Sequence, residues 1–240
     1  MTGVTGPVSG VGRAAAGPDV GEPRRPWVVG VSGASGTPYA ASVLRGLLTA
    51  GLPIDLIVSR AARLTLLDET GLAWRDNAWP QALASWLGVG TAAAVSRAAE
   101  TGWLRHWSPG DLAAGPSSGS YLTRGMIVVP ASTAAVAGIA LGLSKDLLQR
   151  VADVTLKERR TLVVVPREMP FTRSTLLHML SLHEAGAVVA AASPGFYAGA
   201  TDAQALVDFV AGKVLDVAGV PNTLLRRWTG ELGAARRPSS

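Results

Sequence analysis

The chain alternates short segments that are apolar throughout with longer segments in which apolar residues recur at helical spacing. Strands that are apolar on both faces occur in parallel sheets that helices cover on each side. The alternation therefore predicts a three-layer α/β fold, a parallel sheet with helices on both faces, which binds ligands at the carboxyl ends of its strands. The predicted strands are 27–32, 54–59, 125–129, 162–165 and 187–191; the predicted helices are 37–50, 63–70, 172–185 and 202–218, with further helical residues between 132 and 156.

The two ends of the chain lack this alternation. Residues 1–25 are rich in Gly, Pro, Ala and Val without periodicity, and we expect a disordered N-terminal tail there. Residues 26–228 are predicted to form one domain, followed by a flexible C-terminal tail at 229–240. No apolar segment of the length of a secretory signal is found near the N-terminus, so we expect a cytoplasmic protein.

Composition excludes several classes of function. The 240 residues include no cysteine, which excludes disulfides, thiolate metal sites and a cysteine nucleophile. The net charge is +5, but the basic residues are scattered and do not alternate with aromatic residues, so we expect no nucleic-acid partner. The longest uncharged stretch, 125–144, is interrupted by Pro130 and Gly138, which indicates buried core and no membrane span.

A glycine-rich turn, GASG at 33–36, follows the first predicted strand. Its backbone N–H groups and the following helix suit an anion, usually phosphate, although a tight turn without a ligand is the alternative. The glycine spacing is GxxGxxG and not the GxGxxG of dinucleotide sites, and the second strand ends in Ser59 and Arg60 without an acidic residue for a ribose. A nicotinamide cofactor is therefore disfavoured, while Ser59 and Arg60 leave an NADP site open.

Charge is densest at residues 150–171, where a helix runs into an apolar strand that ends at Arg167 and Glu168. Several of the helix charges suit a solvated face. The strand end is different, because open α/β sheets place functional side chains there and an arginine suits bidentate phosphate binding. The Gly/Pro/Ser-rich loop at 110–120 is either a mobile excursion near the ligand or a surface insertion.

Two patterns carry no predicted chemistry. Residues 115–119 match GxSxG, but they lie in that loop and not at a strand-to-helix elbow. His178 and His183 are five residues apart and point to different sides of a helix. We therefore predict no metal site.

Six segments carry the motifs on which a family resemblance rests: SGASG (32–36), IVSRAA (57–62), SSGSYLTRGMIVVPAST (117–133), RVADVTLKERRTLVVVPRE (150–168), SPGFY (193–197) and LVDFVAGKVLDVAGV (206–220). Together these motifs resemble the UbiX-type flavin prenyltransferase family. The resemblance implies a flavodoxin/Rossmann-like subunit in a homo-oligomer, typically a dodecamer, with sites at subunit interfaces. It implies metal-independent joining of the dimethylallyl group of dimethylallyl phosphate to N5 and C6 of reduced FMN; the product, prenylated FMN, serves UbiD-type decarboxylases.

The resemblance also assigns residues to the site. Those expected to contact FMN are Gly33, Ala34, Ser35, Ser59, Ser132, Thr133, Ala134, Ala135, Arg150 and Arg167. Those expected to bind the prenyl phosphate are Lys157, Tyr197 and Lys213. Catalytic positions are Ser35, Glu69, Trp107, Lys157, Glu168 and Trp228.

These residue types suit the chemistry. Cleavage of an allylic C–O bond leaves negative charge on phosphate, which Lys and Tyr donors stabilise without a metal. Glu168, or Ser35 through a water, is expected to take the proton lost from C6. Trp107 is expected to shield the allyl cation by cation–π attraction, with plain core packing as the alternative.

Some positions depart from the family pattern. Lys213 stands where the family usually has Arg, which keeps the charge and loses the bidentate fork. Ala131 stands where a cysteine is common, and PASTAA replaces the PASANT of flavin-dependent cysteine decarboxylases. Those decarboxylases also use a histidine after the first helical region, and no histidine precedes His106 here. The alternatives to prenyl transfer are FMN-dependent oxidative decarboxylation and a non-catalytic flavin-binding subunit.

Overall fold

The computed structural model describes residues 24–228 and 230 as a six-stranded sheet with helices on both sides. The strands are β1 (Trp27–Val31), β2 (Ile54–Val58), β3 (Leu104–Trp107), β4 (Gly125–Ala131), β5 (Thr161–Pro166) and β6 (Val188–Val189). The helices are α1 (Thr37–Thr49), α2 (Arg60–Thr70), α3 (Trp79–Leu87), α4 (Ala92–Glu100), α5 (Thr133–Ala140), α6 (Leu147–Lys157), α7 (Arg173–Glu184) and α8 (Ala203–Val217). Single 3₁₀ turns lie at Asp76–Ala78, Gly115–Ser117 and Phe196–Ala198.

All neighbouring strands are parallel, in the order β3-β2-β1-β4-β5-β6. The chain moves outward from β1 in one direction through β2 and β3, and in the other through β4, β5 and β6. This reversal leaves a crevice at the carboxyl ends of β1 and β4, where open α/β sheets bind ligands. The predicted three-layer, flavodoxin/Rossmann-like fold is confirmed.

Each face of the sheet carries its own core. Alternate residues of β1 illustrate why: Val29 packs with helices α1, α3 and α8, whereas Val28 packs with α5 and α6 on the other side. The first core also contains Leu44 and Leu215, and the second contains Val151. Because both faces are covered, the strands read as continuous apolar segments.

The differences from the predicted elements lie where the apolar pattern is weak. β3 is an edge strand in which Leu104 alone is buried, so LRHW does not read as a strand. The predicted helical region 132–156 is two helices, α5 and α6, separated by a turn with positive φ at Gly142 and Ser144. Helices α3 and α4 lie between residues 79 and 100, where the sequence pattern predicts neither helix nor strand.

The predicted domain boundary at residue 26 excludes an arginine that the structure places in the fold. Arg24 Nη2 donates to Asp55 Oδ1 over 2.7 Å, and Tyr121 Oη donates to Asp55 Oδ2 over 2.7 Å, with Asp55 fully buried in β2. The predicted tails otherwise lie outside the described residues, apart from Arg25 and Gly230. No helix in the described part of the chain has the length and hydropathy to cross a membrane.

Candidate active site

The glycine-rich turn joins β1 to α1 and packs against the start of α2. A Cβ added to Gly33 would lie 2.4 Å from the Cβ of Ala61, so this close approach requires glycine. Gly36 has a φ of +113°, which favours glycine because L side chains rarely adopt it. The turn therefore reaches its conformation through two of its glycines.

The first N–H groups of α1 are already bound to a carboxylate. Gly36 N donates to Glu69 Oε1 over 2.7 Å and Thr37 N donates to Glu69 Oε2 over 2.9 Å, with a third hydrogen bond from the Thr37 hydroxyl. Burial raises the pKa of Glu69, but the hydrogen bonds from Thr37, Ser35 and Gly36 outweigh it and the net pKa is lowered. The N–H groups of Gly36 and Thr37 thus bind the protein's own carboxylate, and an anion site at the rest of the glycine-rich turn stays a prediction.

A cleft of about 390 Å³ opens at the switch point between β1 and β4. Three helices begin at it, each with a side-chain cap: Ser59 Oγ accepts from Ala62 N (3.1 Å), Ser132 Oγ from Ala135 N (3.2 Å) and Asp146 Oδ1 from Gln149 N (2.9 Å). Helix N-termini carry partial positive charge, so their convergence favours an anionic ligand. The lining residues are Ser32, Gly33, Ser59, Arg60, Ala61, Pro109, Gly110, Ser132, Ala134, Ala135, Lys145, Asp146, Leu148 and Gln149.

Ser32 lines this cleft and links two of the strands that form it. Its buried hydroxyl donates to Pro130 O over 2.8 Å and accepts from Ser132 N over 2.7 Å. These two bonds join the carboxyl ends of β1 and β4, where the strand order reverses. The cap of α5 is thereby held against the glycine-rich turn.

Comparison with known proteins identifies this arrangement. The sequence model of the family described as Flavoprotein matches residues 18–215. The flavin prenyltransferase UbiX of Streptomyces coelicolor is 65% identical over 212 residues, which cover 88% of this chain and 98% of the relative. The chain belongs to the UbiX flavin prenyltransferase family.

Two solved structures of UbiX relatives superpose on this chain. AnUbiX (PadA1), solved in complex with FMN and dimethylallyl pyrophosphate, has a TM-score of 0.74 and 34% identity, covering 87% of this chain and 100% of its own. A dodecameric FMN-dependent UbiX-like decarboxylase from Escherichia coli O157:H7 has a TM-score of 0.72 and 34% identity, covering 85% and 99%. The fold and the family predicted by resemblance are therefore confirmed.

The UbiX-family cleft gathers half of the ten residues predicted to contact FMN, namely Gly33, Ser59, Ser132, Ala134 and Ala135. Ala34, Ser35 and Thr133 lie beside lining residues in the chain without lining the cleft themselves. Arg167 lies at the same edge: its backbone N donates to Ala131 O, and its Cγ would be 3.7 Å from a Cβ on Gly36. The buried Nε of Arg167 has no hydrogen-bond partner among the described residues.

Arg150 lies elsewhere. Its Nε donates to Ser117 O over 3.1 Å and its Nη1 to Asp153 Oδ2 over 3.0 Å. Arg160 adds bonds to Gly119 O (2.6 Å) and Tyr121 O (2.8 Å). Within one subunit Arg150 therefore binds the 110–120 loop, not the cleft. The loop is bound to Arg150 of α6 and to Arg160 directly before β5 through Ser117 and Gly119, as expected of a surface insertion. Gly110 at its start lines the cleft, as expected of a loop near the ligand.

Lys157 is also remote from the cleft of its own subunit. α6 begins at the cleft with Asp146 and ends at Lys157, about 16 Å away at 1.5 Å per residue. There Lys157 Nζ lies 2.6 Å from Glu158 Oε1, beside Gly119, and about half of its side chain is exposed. A role in the site requires another subunit to bring a cleft to Lys157.

The other predicted phosphate ligands are Lys213, which lies on α8, and Tyr197, which packs against α8 from the preceding 3₁₀ turn. Tyr197 packs edge-to-face on Phe209 (centroids 5.4 Å apart) and on Trp228 (6.0 Å). Lys213 follows Phe209 by one helical turn and is exposed. The structure thus brings Tyr197, Lys213 and Trp228 to one region, and all three are open to solvent in the single subunit.

Trp107 and Glu168 both lie at carboxyl ends of strands. Trp107 ends β3, half-buried, edge-to-face with Tyr121 at 6.5 Å, and its indole N–H has no partner among the described residues. Glu168 follows β5, is exposed, and accepts a hydrogen bond from Met169 N over 2.9 Å. The carboxylate of Glu168 is thus open to a ligand, whereas the indole N–H of Trp107 is buried and unpaired within the described residues.

Sequence reasoning missed part of the lining. Lys145 and Asp146 come from the turn before α6, Gln149 from the first turn of α6, and Ser32 from the end of β1. Asp146 directly before an apolar helix is a signature of an N-cap, so its place at a helix start could have been found. Nothing in the local sequence indicates that this helix start faces the cleft. No cluster of three or more potential metal ligands occurs in the described residues.

Proposed function

We propose that this chain is a flavin prenyltransferase that joins the dimethylallyl group of dimethylallyl phosphate to N5 and C6 of reduced FMN. The observation that carries the proposal is the cleft at the switch point, with three helix N-termini, in a chain of the UbiX family. The AnUbiX complex with FMN and dimethylallyl pyrophosphate supports FMN and a dimethylallyl phosphate ester as the ligands.

The residues of the cleft fit FMN. Gly33, Ala134 and Ala135 are small and leave room for a flat ring, while the helix N-termini and Arg60 supply the positive potential that a flavin phosphate needs. Arg167 lies at the edge of the glycine-rich turn, and its buried Nε lacks a partner in the described part of the chain, so it would add a further donor for FMN. Reduced FMN supplies the nucleophilic N5 and the C6 position of the reaction.

The chain's own donors would stabilise the leaving phosphate. Lys157 and Lys213 carry charge and Tyr197 carries a phenol, so together they can neutralise the negative charge that develops as the allylic C–O bond breaks. No metal is required for this role. Trp107 would hold the allyl cation by its ring face, since its indole ends β3 at the ligand edge of the sheet.

A carboxylate that accepts the proton from C6 must be one that other groups in the protein do not already hold. Glu168 is exposed, whereas Glu69 is held by three hydrogen bonds to the start of α1. We therefore propose that Glu168, or Ser35 through a water, accepts the proton lost from C6. Glu69 instead holds the glycine-rich turn in place.

The active unit in this proposal is a homo-oligomer. One subunit holds Lys157 and the cleft at opposite ends of α6, so a neighbour must complete the site. Exposed leucines on and near α7 and α5 offer apolar surface for such contacts: Leu141, Leu143, Leu176, Leu177 and Leu180. The dodecamer of the E. coli relative is the assembly we propose.

The product and the location follow from the reaction. Prenylated FMN would leave for a UbiD-type decarboxylase, which would use it as cofactor. We place the enzyme in the cytoplasm because the reaction consumes reduced FMN, which a reducing compartment maintains.

Anaerobic incubation with reduced FMN and dimethylallyl phosphate tests the proposal. Mass spectrometry of the released flavin is expected to show one added prenyl unit, and omission of the prenyl phosphate gives the control. Unmodified flavin in the complete reaction, with oxidation of a peptidyl cysteine or pantothenoyl-cysteine substrate instead, would assign the chain to FMN-dependent decarboxylation. Bound flavin without either reaction would leave a non-catalytic flavin-binding subunit.

A further inference from the structure

The last described segment of the chain, residues 220–228, runs back over α8 and ends at Trp228. We call it the C-terminal strap. Val220 N donates to Leu215 O over 2.8 Å, and Leu225 packs so closely on α8 that a Cβ on Gly212 would lie 2.3 Å from its Cδ2. The strap therefore lies against the same helix that carries Phe209 and Lys213.

One ion pair holds the end of the strap. Arg227 donates to both carboxylate oxygens of Asp216, Nη1 to Oδ2 over 3.0 Å and Nη2 to Oδ1 over 2.9 Å. Asn222 Nδ2 donates to Asp216 Oδ1 over 3.0 Å and so joins the start of the strap to the same carboxylate. A bidentate arginine–carboxylate pair fixes orientation as well as distance.

The arginine of this ion pair directly precedes, in the sequence, the tryptophan that contacts Tyr197. Trp228 follows Arg227, and its ring meets Tyr197 edge-to-face at 6.0 Å. Both rings are about half exposed, 56% for Trp228 and 50% for Tyr197, so few other groups restrain them. On the other side Tyr197 rests on Phe209 at 5.4 Å.

We propose that Asp216 and Arg227 are positioning residues that hold Trp228 against Tyr197 and so preset the Tyr197 hydroxyl for the allylic phosphate. The inference rests on the proposed function of Tyr197 as a phosphate ligand. Neither Asp216 nor Arg227 needs to touch the substrate. Their effect is to reduce the freedom that the Tyr197 ring loses on binding.

The ion pair also affects Lys213. Asp216 lies three residues after Lys213 on α8, and its charge would attract that ammonium away from a phosphate. Because Arg227 neutralises Asp216 through two hydrogen bonds, Lys213 stays available for the anion. The same ion pair thus supports both predicted phosphate ligands, Lys213 on α8 and Tyr197 beside it.

Steady-state kinetics of Arg227→Ala and Asp216→Asn test the proposal, with Arg97→Gln on the exposed face of α4 as charge-matched control. We expect Arg227→Ala and Asp216→Asn each to raise KM for dimethylallyl phosphate about three- to tenfold, with kcat and FMN affinity within about twofold of wild type. Arg227→Lys, which cannot pair bidentately, should give an intermediate KM. Wild-type KM in Arg227→Ala would overturn the inference.

A double-mutant cycle shows whether the pair acts through Trp228. Arg227→Ala should raise KM in the wild-type background and have a clearly smaller effect in Trp228→Ala, because the ring that it positions is then absent and only its effect on Lys213 through Asp216 remains. An equal effect in both backgrounds would overturn the inference and leave Arg227 with a direct role.

Hydrogen exchange separates this proposal from the proposed function. Arg227→Ala should increase amide exchange in residues 220–228 and also in 195–199, relative to wild type and Arg97→Gln. If wild type makes no prenylated FMN, the proposed function fails, while this exchange pattern still decides whether the pair holds the strap and Tyr197. Unchanged exchange in both segments would show that the Asp216–Arg227 pair does not hold Trp228 against Tyr197, whether or not the enzyme is active.

Discussion

At the scale of the residue, Lys157 depends most on its surroundings. In one subunit it is half exposed and paired with Glu158, which is the description of an ordinary surface lysine. At a neighbour's site the same ammonium would face the departing phosphate. The two descriptions predict very different consequences of removing it.

We expect Lys157→Ala to slow prenyl transfer by about a hundredfold or more while FMN affinity stays nearly unchanged, because one transition-state donor is lost. Single-turnover formation of prenylated flavin measures the rate, and flavin fluorescence titration measures the affinity. Lys157→Arg should recover part of the rate if charge is sufficient, and little if the site needs a compact ammonium. A rate within tenfold of wild type in Lys157→Ala would show that Lys157 is a solvated surface charge.

His106 is a second residue whose setting decides its behaviour. Its side chain is 4% exposed between Trp74 and Trp79, with ring centroids at 5.3 and 5.9 Å, and Nε2 lies 3.7 Å from Asp76 Oδ1. Burial lowers the pKa of His106 to about 4 although Asp76 opposes the shift and Arg63 adds to it. The imidazole in the folded protein is therefore neutral at physiological pH.

This pKa predicts a loss of stability in acid. In the unfolded chain His106 has its ordinary pKa near 6.5, so between pH 6.5 and 4 the unfolded state binds the proton and the folded state does not. Its contribution is complete above pH 6.5 and falls by up to about 3 kcal/mol on acidification to pH 4. Urea unfolding at several pH values should show a shallower decline for His106→Gln than for wild type or for His183→Gln on the exposed face of α7. Equal slopes for all three proteins would contradict the assignment.

At the scale of the element, the β1–α1 turn and the start of α2 form one unit. Gly33 touches Ala61, Glu69 from the far end of α2 binds the start of α1, and both helices begin near the carboxyl end of the sheet. A shift of either helix therefore changes the shape of the cleft.

Gly33→Ala tests this unit, since its new Cβ would stand 2.4 Å from that of Ala61. We expect a loss of about 1–3 kcal/mol in unfolding free energy and at least about tenfold weaker FMN binding. Ala61→Gly in the same chain removes the colliding carbon and should restore part of the FMN affinity. If the double variant binds FMN no better than Gly33→Ala, then contact with Ala61 is not the reason for the glycine.

At the scale of the whole molecule, the proposed site needs more than one subunit. The cleft occupies one end of α6 and Lys157 the other, so a single chain cannot use both on one substrate. This separation makes subunit exchange a direct test.

Mixed oligomers of Lys157→Ala and Arg167→Ala should be more active than either variant alone. If a site takes Lys157 from one subunit and Arg167 from another, random 1:1 mixing leaves about a quarter of the sites intact. Co-expression with two affinity tags and serial purification gives the mixed species, and light scattering gives its mass. Activity equal to the mean of the two single variants would place both residues on the same subunit, and an active monomer would refute the interface site.

The sequence was sufficient for the layers of the fold and the edge that binds ligand. Short apolar segments that alternate with amphipathic helices indicate central parallel strands, and the glycine-rich turn, Ser59 and Ser132 follow directly after three of them. It missed β3, because an edge strand with Arg105 and His106 has one buried face and too short a pattern to recognise. Motif resemblance supplied the family, which periodicity alone did not distinguish from other three-layer folds.

Tertiary structure decided where each charge acts. Glu69, Glu168 and Asp216 are alike in sequence, yet one fixes a helix start, one is free at the end of β5 and one binds Arg227. Arg150 and Lys157 stand in the same family motif as Arg167, but they face away from the cleft of their own subunit. The physical reason is that long-range packing sets the partners of a side chain. Gly36 and Glu69, for example, are 33 positions apart in the sequence, and a local pattern does not record such a contact.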